Sequence, residues 1–397
     1  MEAPYETSSG GGISAYLRAL IPVLADAGHR VTVVAKSRGT EVQTRCGGKV
    51  KIVPAELPGS HWYLSKVPLL SRFTHPVRQV EWSQGFYQAA CRVFRDDVPD
   101  VIETAETGAL QLARKPIAPL VMRLHGSNFT FQKFSGGPSG TGIRLDRSLE
   151  LAALRRAAAI TSPSAFQARE LARTSKIPLE EIEVIPNPVS AAILTRAHAA
   201  RQSHPSPTPS ATPLVLYTGR LAPVKGIVPL LEAAKEVCRN RSVTFTLAGP
   251  WQMGQTPAEF GFDPEGKLTG TQLSWTGHVS WETIADLYVQ ATVFVMPSWF
   301  ESFGISVIEA MAFGIPVVAT TAGALPEVVE DGVTGLLVPP GDSGALATAI
   351  TRLLNDAPLR ARLGAAGRER VLARYTPERI AEQTLALYER VRRHTKS

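Results

Sequence analysis

The sequence predicts an α/β protein built from two doubly wound, Rossmann-like domains with parallel sheets. A chain of 397 residues is longer than a domain with a single hydrophobic core usually is. In both halves, short strand-like runs alternate with amphipathic helical stretches, a pattern typical of parallel sheets with helices on both faces. The Pro-, Ser- and Thr-rich segment RAHAARQSHPSPTPSATP lacks apolar periodicity. We therefore assign residues 1–195 to a first domain, 196–213 to an irregular, exposed linker and 214–375 to a second domain.

Composition is that of a globular protein, with 44% hydrophobic and 19% charged residues. No apolar run approaches the length of about 20 residues that a membrane span requires, and no signal peptide opens the sequence. The three cysteines, Cys46, Cys91 and Cys238, are too few and too far apart for a disulfide framework or a metal site. We expect reduced, buried thiols in a cytoplasmic protein.

Positive charge is concentrated in the first half. Residues 1–195 contain 23 Lys+Arg and 17 Asp+Glu, whereas residues 196–397 contain 19 and 18. The excess suits a phosphorylated acceptor or an acidic lipid surface at the inner face of the cell membrane. A solvated basic surface is an equally open interpretation. Nucleic acid ranks last, because basic residues are not interleaved with aromatic ones in any known module signature.

In the second half, five runs rich in apolar and β-branched residues predict buried strands. They are LVLYT (214–218), VTFTLA (243–248), LSWTG (273–277), TVFVM (292–296) and IPVVAT (315–320). Small or polar residues follow each run. Because ligands bind beyond the carboxyl ends of strands in open α/β sheets, we expect these five loops to form one binding rim.

The first half contains six strand candidates, preceded by the helical stretch 12–28. They are RVTVVA (30–35), KIVP (51–54), DVIE (100–103), PLVMRL (119–124), AAITS (158–162) and IEVIP (182–186). A doubly wound sheet normally begins with a strand, and MEAPYETSSG is too short and too polar to supply one. The first strand is therefore missing. We favour a start site set too far downstream over a fold without that strand, and expect poor solubility that an upstream extension rescues.

Two cations follow the first strand of the second half, in YTGRLAPVKG. Gly219 lets the backbone approach a ligand closely, and a helix N-terminus after this loop favours an anion. Arg220 offers a planar fork of donors and Lys225 a point charge, and both suit a diphosphate. A surface loop with two solvated cations is the alternative from this segment alone.

Two glutamates lie in the apolar stretch PSWFESFGISVIEAMAFGIPVVAT. Glu301 falls in a loop at the rim, and Glu309 falls about two turns into the following helix. We expect Glu309 to lie deeper than Glu301. Carboxylates accept the hydrogen bonds that sugar and ribose hydroxyls donate. Backbone N–H groups of the helix start would point at the same ligand; they belong to Phe303, Gly304 and Ile305. Ordinary surface positions for both glutamates remain the alternative.

The segments that contain these residues resemble those of a known protein family. GRLAPVKG and PSWFESFGISVIEAMAFGIPVVATTAGALPEVVEDGVTGLLVPPGD resemble the family 4 glycosyltransferases, whose E-x7-E motif Glu301 and Glu309 match. SSGGGISAYLRALIPVLADAGHRVTVV, MRLHG and SPSAFQARELARTSKIPLEEIEVIPNPV stand in the expected order, so the resemblance covers nearly the whole chain. It implies the GT-B fold, in which two Rossmann-like domains face a central cleft. It also implies that residues 376–397 form a helix that crosses back to the first domain; a membrane-surface helix is the alternative.

The resemblance implies roles for individual residues of the second domain. Arg220 and Lys225 resemble the pair that holds the donor's diphosphate. Glu309 is similar to the glutamate that binds the donor's ribose. Glu301 matches the one that contacts the transferred sugar, with Phe303 and Gly304 supplying backbone donors.

In the first domain, Gly11 and Gly12 match a loop that packs against the donor phosphates. His125 resembles the family's histidine near the reacting face of the sugar. Asn187 stands where relatives have Asn-Gly, and since Pro188 stiffens that turn we assign Asn187 no catalytic role. Ser302 replaces a glycine common in relatives, and we expect its side chain to narrow the pocket beside Glu301.

The activity implied is retaining transfer of a sugar from a nucleoside-diphosphate sugar to an acceptor hydroxyl, in polysaccharide, glycolipid or glycoconjugate synthesis. No metal or cofactor is implied, and the sequence has no Asp-x-Asp pair placed to hold a divalent cation. A nucleotide-sugar epimerase, a glycan phosphorylase and a non-catalytic nucleotide-sugar-binding subunit are the alternatives. A nicotinamide oxidoreductase is weaker, because no G-x-G-x-x-G follows a strand at a domain start. The nucleotide base, the sugar and the acceptor stay open.

Overall fold

The computed structural model describes residues 11–36, 42–57, 61–67, 70–106, 108–126, 140–203, 212–239, 241–254, 256–263, 266–268 and 272–396. The chain divides into two compact units, Met1–Asn187 with Pro377–Ser397, and Pro188–Thr376. The first division therefore falls eight residues before the end that we predicted for the first domain at residue 195.

The first unit alternates strands with helices, as its sequence predicts. Its described strands are β1 (Val31–Lys36), β2 (Gln43–Arg45), β3 (Val50–Ala55), β4 (Ile102–Ala105), β5 (Leu120–Arg123), β6 (Ala159–Ser162) and β7 (Ile182–Val184). Its described helices are α1 (Gly12–Asp26), α2 (His61–Ser65), α3 (Thr74–Val93), α4 (Leu110–Arg114), α5 (Thr141–Leu154) and α6 (Ala165–Ser175). The final helix of the chain, Pro377–Lys396, also belongs to this unit.

These strands form two separate sheets. One has the order β1-β3-β2, with β1 parallel and β2 antiparallel to β3. The other is parallel throughout, in the order β4-β5-β6-β7. Strand β2 was not predicted, because its three exposed residues carry no apolar signal. Cys46, which follows β2, is exposed, and Cys91 and Cys238 are half-buried, so the expectation of buried thiols is wrong. No described strand pairs β1 with β4, so the sheet is interrupted between them.

The C-terminal helix packs on α1. Its residues Ile380, Leu387 and Val391 are buried in one cluster with Tyr16 and Leu20 of α1. The side that would face a lipid surface is thus occupied by protein, which argues against a membrane-surface helix.

Glu103 of β4 ties the two helices to the sheet. Its carboxylate accepts hydrogen bonds from the hydroxyls of Tyr16, at 3.0 Å, and Tyr388, at 2.9 Å. Burial and the neighbouring carboxylate raise the pKa of Tyr388, so the hydroxyl keeps the proton that it donates.

The second unit contains one continuous parallel sheet in the order β10-β9-β8-β11-β12-β13. Its strands are β8 (Leu214–Thr218), β9 (Thr244–Ala248), β10 (Leu273–Gly277), β11 (Val293–Met296), β12 (Val317–Thr320) and β13 (Gly335–Val338). The five predicted strands are confirmed, and β13 was missed because GLLV is short and follows turn residues. The two central strands, β8 and β11, are buried at every position, as their apolar runs predict.

Helices cover this sheet. They are α7 (Ala191–Ser203), α8 (Ile227–Cys238), α9 (Trp281–Gln290), α10 (Ile305–Ala312), α11 (Leu325–Val328), α12 (Ser343–Asn355) and α13 (Ala357–Arg374). The C-terminal helix Pro377–Lys396 is α14. Among the described residues, no helix combines the length and apolar content that crossing a membrane requires.

The prediction of an irregular segment at 196–213 is wrong for its first part. Helix α7 continues through residue 203, because alanine-rich AAILTRAHAA has strong helix propensity that outweighs the weak amphipathic pattern. Arg196 forms an ion pair with Asp286 of α9 at 2.5 Å, so α7 belongs to the second unit. Residues 204–211 lie outside the described ranges.

Helix α13 lies against the end of α10 through glycine. A Cβ atom added at Gly364 would lie 2.0 Å from the carbonyl oxygen of Gly314, which follows α10. At Gly344, near the start of α12, the nearest atom to an added Cβ would be a side-chain oxygen at 3.5 Å. A methyl group is therefore tolerated at Gly344 and clashes with backbone at Gly364.

We predict that Gly364→Ala lowers the free energy of unfolding by about 1–3 kcal/mol, since the helices must separate. Gly344→Ala is the matched control and should change that free energy by less than about 0.5 kcal/mol. Denaturant unfolding of both variants checks this. Equal stability of the two would contradict the close approach of α13 to α10.

Candidate active site

The two central strands of the second sheet create a topological switch point. From β8 the chain proceeds outward to β9 and β10, then returns to β11 on the other side of β8. The loops after β8 and β11 therefore diverge at neighbouring carboxyl ends, where open α/β sheets bind ligands. Arg220 and Lys225 follow β8, and Glu301 and Glu309 follow β11.

A glycine brings these two loops together. Gly226, which follows Lys225, has a φ of +66°, and an added Cβ would lie 1.9 Å from the carbonyl oxygen of Pro297 after β11. Only glycine fits this approach. The Tyr217 hydroxyl stabilises the loop after β8 by donating a hydrogen bond to the carbonyl oxygen of Arg220 at 2.8 Å.

Lys225 and Glu301 form the central ion pair of the site. Lys225 Nζ donates to Glu301 Oε1 at 2.6 Å, and Ser298 Oγ donates to the same oxygen at 2.9 Å. Their side chains are only 18% and 10% exposed. Because each charge is partnered, both can be kept largely out of water, and the ammonium is held at the mouth of the β8 loop.

Arg220 is placed differently, with an exposed side chain. Its Nη1 donates to Gln252 Oε1 at 3.2 Å. Its guanidinium fork has five N–H donors, so most of them remain available to a ligand at the rim.

Glu309 lies in α10 and is held by a tyrosine. Tyr288 of α9 donates to Glu309 Oε2 at 3.1 Å, and its oxygen lies 2.8 Å from Thr218 Oγ1. Burial, then the negative charge of Glu309, raises the pKa of Tyr288, which keeps this hydroxyl protonated. Nothing in the sequence identified Tyr288, because it falls on the apolar face of an ordinary amphipathic helix.

The expectation that Glu309 lies deeper than Glu301 is wrong. Glu301 is only 8% exposed, whereas Glu309 is half-buried. Glu301 lies in the loop after β11, where its carboxylate contacts Lys225 and Ser298. Glu309 lies in α10 and is less enclosed.

Helix α10 starts at the site. Gly304 caps it with a φ of +102°, and Ile305 is its first residue. Within the described chain, the backbone N–H groups of Gly304 and Ile305 have no acceptor. The Phe303 side chain packs in the core against Tyr375, so its contribution to a ligand is limited to its backbone.

Two family models match the chain along most of its length. The model described as Glycosyltransferase Family 4 matches residues 10–192, and the one described as Glycosyl transferases group 1 matches residues 200–370. The chain belongs to the family 4 glycosyltransferases. It has the GT-B fold, and its reaction is glycosyl transfer from a nucleoside-diphosphate sugar.

Relatives of this glycosyltransferase align over nearly all of it. Glycogen synthase of Mycobacterium tuberculosis is 27% identical over 95% of this chain and 91% of its own. The structure of sucrose-phosphate synthase from Thermosynechococcus elongatus superposes with a TM-score of 0.76 and 26% identity, covering 96% and 94% of the two chains. The Anabaena protein HepE, solved with UDP and glucose, gives a TM-score of 0.66 at 21% identity over 96% and 97%.

In the first unit of the glycosyltransferase, His125 follows β5 and is positioned by a buried carboxylate. Glu106 accepts the backbone N–H of His125, at 3.1 and 3.2 Å to its two oxygens, and that of Gly126, at 2.8 Å. Burial raises the pKa of Glu106, while these N–H groups favour its ionised form. Glu106 was not predicted, since ETAETG reads as an ordinary polar turn.

The His125 imidazole is neutral at physiological pH. Burial, and to a lesser degree the Arg123 guanidinium, lower its pKa to about 3. Its ring makes an edge contact with Tyr16, with 5.4 Å between centroids.

The other predicted residues of the first unit are placed as follows. Gly11 is the N-cap of α1 and Gly12 is its first residue, and both are exposed. The Asn187 Oδ1 accepts a hydrogen bond from Arg123 Nη2 at 2.9 Å, as does the carbonyl oxygen of Ile185. Asn187, the last residue of the unit's first segment, is thus held by a buried arginine.

We predict a pH-dependent stability difference between wild type and His125→Gln. Below pH 6.5 the imidazole of the unfolded chain binds a proton, whereas that of the folded chain stays neutral down to about pH 3. The free energy of unfolding of wild type therefore falls by up to about 1.4 kcal/mol per pH unit in that window. When the pH is lowered from 7.5 to 5.0, the free energy of unfolding should fall by about 1–2 kcal/mol more in wild type than in the variant. Glu106 affects both proteins alike. Denaturant unfolding at the two pH values measures this, and parallel losses would contradict a neutral His125.

Proposed function

We propose that this glycosyltransferase retains the anomeric configuration and binds its donor through Arg220, Lys225, Glu301 and Glu309, without a metal ion. The observation that carries the proposal is the Lys225–Glu301 pair at the switch point between β8 and β11, 2.6 Å apart. This pair supports the proposal because a cation suited to a diphosphate and a carboxylate suited to sugar hydroxyls lie side by side.

The diphosphate is the leaving group, and its growing negative charge needs donors fixed in advance. Lys225 uses one N–H on Glu301 and keeps two for phosphate oxygens. Arg220 adds a planar fork, and the first N–H groups of α10 add backbone donors. No group of three or more His, Cys, Asp or Glu side chains in the described ranges is arranged to hold a metal ion.

Glu309 binds the ribose hydroxyls in this proposal. The Tyr288 hydroxyl donates to one oxygen of the carboxylate and so fixes the orientation of the group before the donor binds. Tyr288 is therefore a positioning residue.

Glu301 binds a hydroxyl of the transferred sugar and is not a nucleophile. Both of its hydrogen bonds reach Oε1, which leaves Oε2 to accept from the sugar. The acceptor hydroxyl attacks C1 on the face that the diphosphate leaves: the acceptor O–C1 bond forms, the C1–O phosphate bond breaks, and the hydroxyl proton passes to the departing phosphate.

We also propose that the first unit contacts an acidic membrane surface, where a lipid-linked or otherwise anionic acceptor is held. Around α2 lies a patch, here named the Trp62 patch, of exposed apolar residues and cations. It consists of Trp62, Tyr63, Lys66, Val67, Leu70 and Arg72. Trp62 and Tyr63 are 53% and 68% exposed, and Lys66 Nζ lies 3.9 Å from the Trp62 ring centroid. Aromatic rings beside cations are typical of interfacial membrane contacts.

Donor binding is tested by calorimetric titration with UDP, GDP, ADP and NAD, with and without EDTA. We expect one nucleoside diphosphate to bind equally well in EDTA, and Arg220→Ala, Lys225→Ala and Glu309→Ala each to weaken it about 10–100-fold. Tyr288→Phe should weaken it less. The control is Arg239→Ala, an exposed arginine at the far end of α8.

Loss of binding in EDTA would overturn the metal-free donor site, and full affinity in the Arg220 and Lys225 variants would overturn the residue assignment. Product analysis by NMR with the donor so identified then separates transfer from epimerisation. An inverted linkage in the product would contradict retention.

The membrane contact is tested by co-sedimentation with vesicles containing phosphatidylserine. The double variant Trp62→Ala with Tyr63→Ala should lower the bound fraction at least about fivefold, since it removes the apolar part of the contact. Trp281→Ala, an equally exposed tryptophan of the second unit, is the control. Equal binding by both variants would remove the Trp62 patch from the interface.

A further inference from the structure

Trp299 is an exposed aromatic residue in the loop that carries Glu301. Its side chain is 45% exposed, whereas Phe300 and Glu301 beside it are buried. No other residue of 297–304 is exposed. Single exposed apolar side chains are common on protein surfaces and by themselves indicate no ligand. Trp299 differs from them because it lies at the carboxyl ends of the strands, where open α/β sheets bind ligands, and because its position is fixed.

Three loops hold Trp299 in place. Its backbone N–H donates to the carbonyl oxygen of Val224, in the loop after β8, at 2.9 Å. Its indole ring lies on Gly341, in the loop after β13, where an added Cβ atom would be 2.1 Å from Cη2 and 2.6 Å from Cζ2. The loop after β12 is attached as well, because the carbonyl oxygen of Glu301 accepts from the N–H of Ala324 at 3.0 Å. The ring therefore has a defined orientation before any ligand binds, which lowers the entropic cost of contact.

The side chains of Trp299 and Glu301 leave their loop toward opposite sides of the sheet. The Glu301 carboxylate contacts Lys225 after β8, whereas the indole contacts Gly341 after β13. Strands β8 and β13 lie on opposite sides of β11. With the diphosphate on Lys225 and a sugar hydroxyl on Glu301, the indole is beside the sugar end of the site.

The nucleoside belongs to the other end. Glu309, which binds the ribose in the donor mode proposed above, is held by Tyr288. The Tyr288 hydroxyl lies 2.8 Å from Thr218 Oγ1, at the end of β8. A base attached to that ribose is therefore on the β8 side of the site, away from Trp299, so base stacking does not explain the exposed indole.

The chemistry of the indole suits a sugar ring. Its π face carries partial negative charge and attracts the C–H groups that a pyranose presents on its less polar face. Its N–H donates to no residue in the part of the chain that the structure describes, so it is available to a sugar hydroxyl. A phosphate group suits this position less well, because it has no C–H face and the cations Arg220 and Lys225 follow β8.

We propose that Trp299 and Gly341 form a carbohydrate subsite next to Glu301, in which the C–H face of a sugar ring stacks on the indole. The proposal rests on the donor mode proposed above and adds the class of group that occupies the β13 side of the site. Two sources present this chemistry: the transferred sugar of the donor and a sugar ring of the acceptor. The test has one arm for each.

Gly341 allows the ring to be displaced while the tryptophan stays in the chain. In Gly341→Ala the new methyl group would push the indole aside, since carbon atoms cannot approach to 2.1 Å. Gly332→Ala is the matched control. The φ angles of the two glycines are +81° and +71°, so both substitutions strain the backbone alike, but an added Cβ at Gly332 meets nothing within 4 Å.

The first measurement follows the indole N–H signals of the six tryptophans by NMR, and Trp299→Phe identifies the signal of Trp299. One arm adds UDP-glucose, ADP-glucose or GDP-mannose. The other adds methyl α-glucoside, methyl α-mannoside or maltose, both with UDP, ADP or GDP and without any nucleotide. We expect the Trp299 signal to shift in one arm, to shift also in Gly332→Ala, and not to shift in Gly341→Ala. The arm that shifts it identifies the source of the ring.

No shift in either arm would overturn the subsite. So would a shift of the same size with a nucleoside diphosphate alone, because the indole would then respond to the nucleotide and not to a sugar. Failure of every nucleotide to bind wild type would count against the donor site instead, and the glycosides added without nucleotide would still test the subsite.

The second measurement separates stacking from bulk. The affinity for the sugar that shifts the signal should fall at least about tenfold in Trp299→Leu, which keeps an apolar side chain without a ring. In Trp299→Phe, which keeps a ring, it should fall only about two- to fourfold. Trp281→Ala removes another exposed tryptophan of the second unit and is the control. Affinity for the nucleoside diphosphate alone should stay within about twofold in all three variants. Equal sugar affinity in wild type and Trp299→Leu would overturn the proposal.

Discussion

Parallel pairing of β8 with β11 is the constraint on which the candidate active site depends. The pairing sets Val293 against Val215 and Phe294 against Leu216 in the middle of a six-stranded sheet. Since parallel strands end at the same edge, loops far apart in the chain meet there. Lys225 and Glu301, 76 positions apart, are joined for this reason. The apolar core beneath the sheet therefore has a chemical consequence: it fixes the distance between a cation and a carboxylate.

In both units, the buried charged side chains form hydrogen bonds or ion pairs. In the second unit, Glu301 is neutralised by Lys225 and steadied by Ser298. In the first, the fully buried Arg123 donates to the carbonyl oxygen of Ile185 and to Asn187, and Glu106 accepts backbone N–H groups beside His125. Such groups are stable only when their donors and acceptors are aligned within the fold. The packing that buries each charged side chain therefore also fixes its orientation.

The sheets of the two units differ in continuity. The second sheet is continuous, and its central strands are buried on both faces. The first is divided between β1 and β4, so strands with interior sequences remain edges facing a cavity. Helices α1 and α14 are buried against each other, and residues of α1 and α3 line the cavity between the two sheets. The fold of the first unit is therefore specified by its flanking helices as well as by strand pairing.

The sequence by itself determined the α/β class, the predicted strands of both halves and the loops that carry Arg220, Lys225, Glu301 and Glu309, because apolar runs and glycine-rich turns are local signals. It did not find β13, the helix that continues to residue 203, or the roles of Tyr288, Ser298 and Glu106. Each of these depends on neighbours distant in the chain: Tyr288 matters only because α9 lies beside α10, and Glu106 only because β4 lies beside β5. The tertiary structure also decided which glutamate is more deeply buried. Burial is set by what the folded chain brings alongside a residue, and periodicity along the chain reports only which side of its own helix or strand that residue occupies.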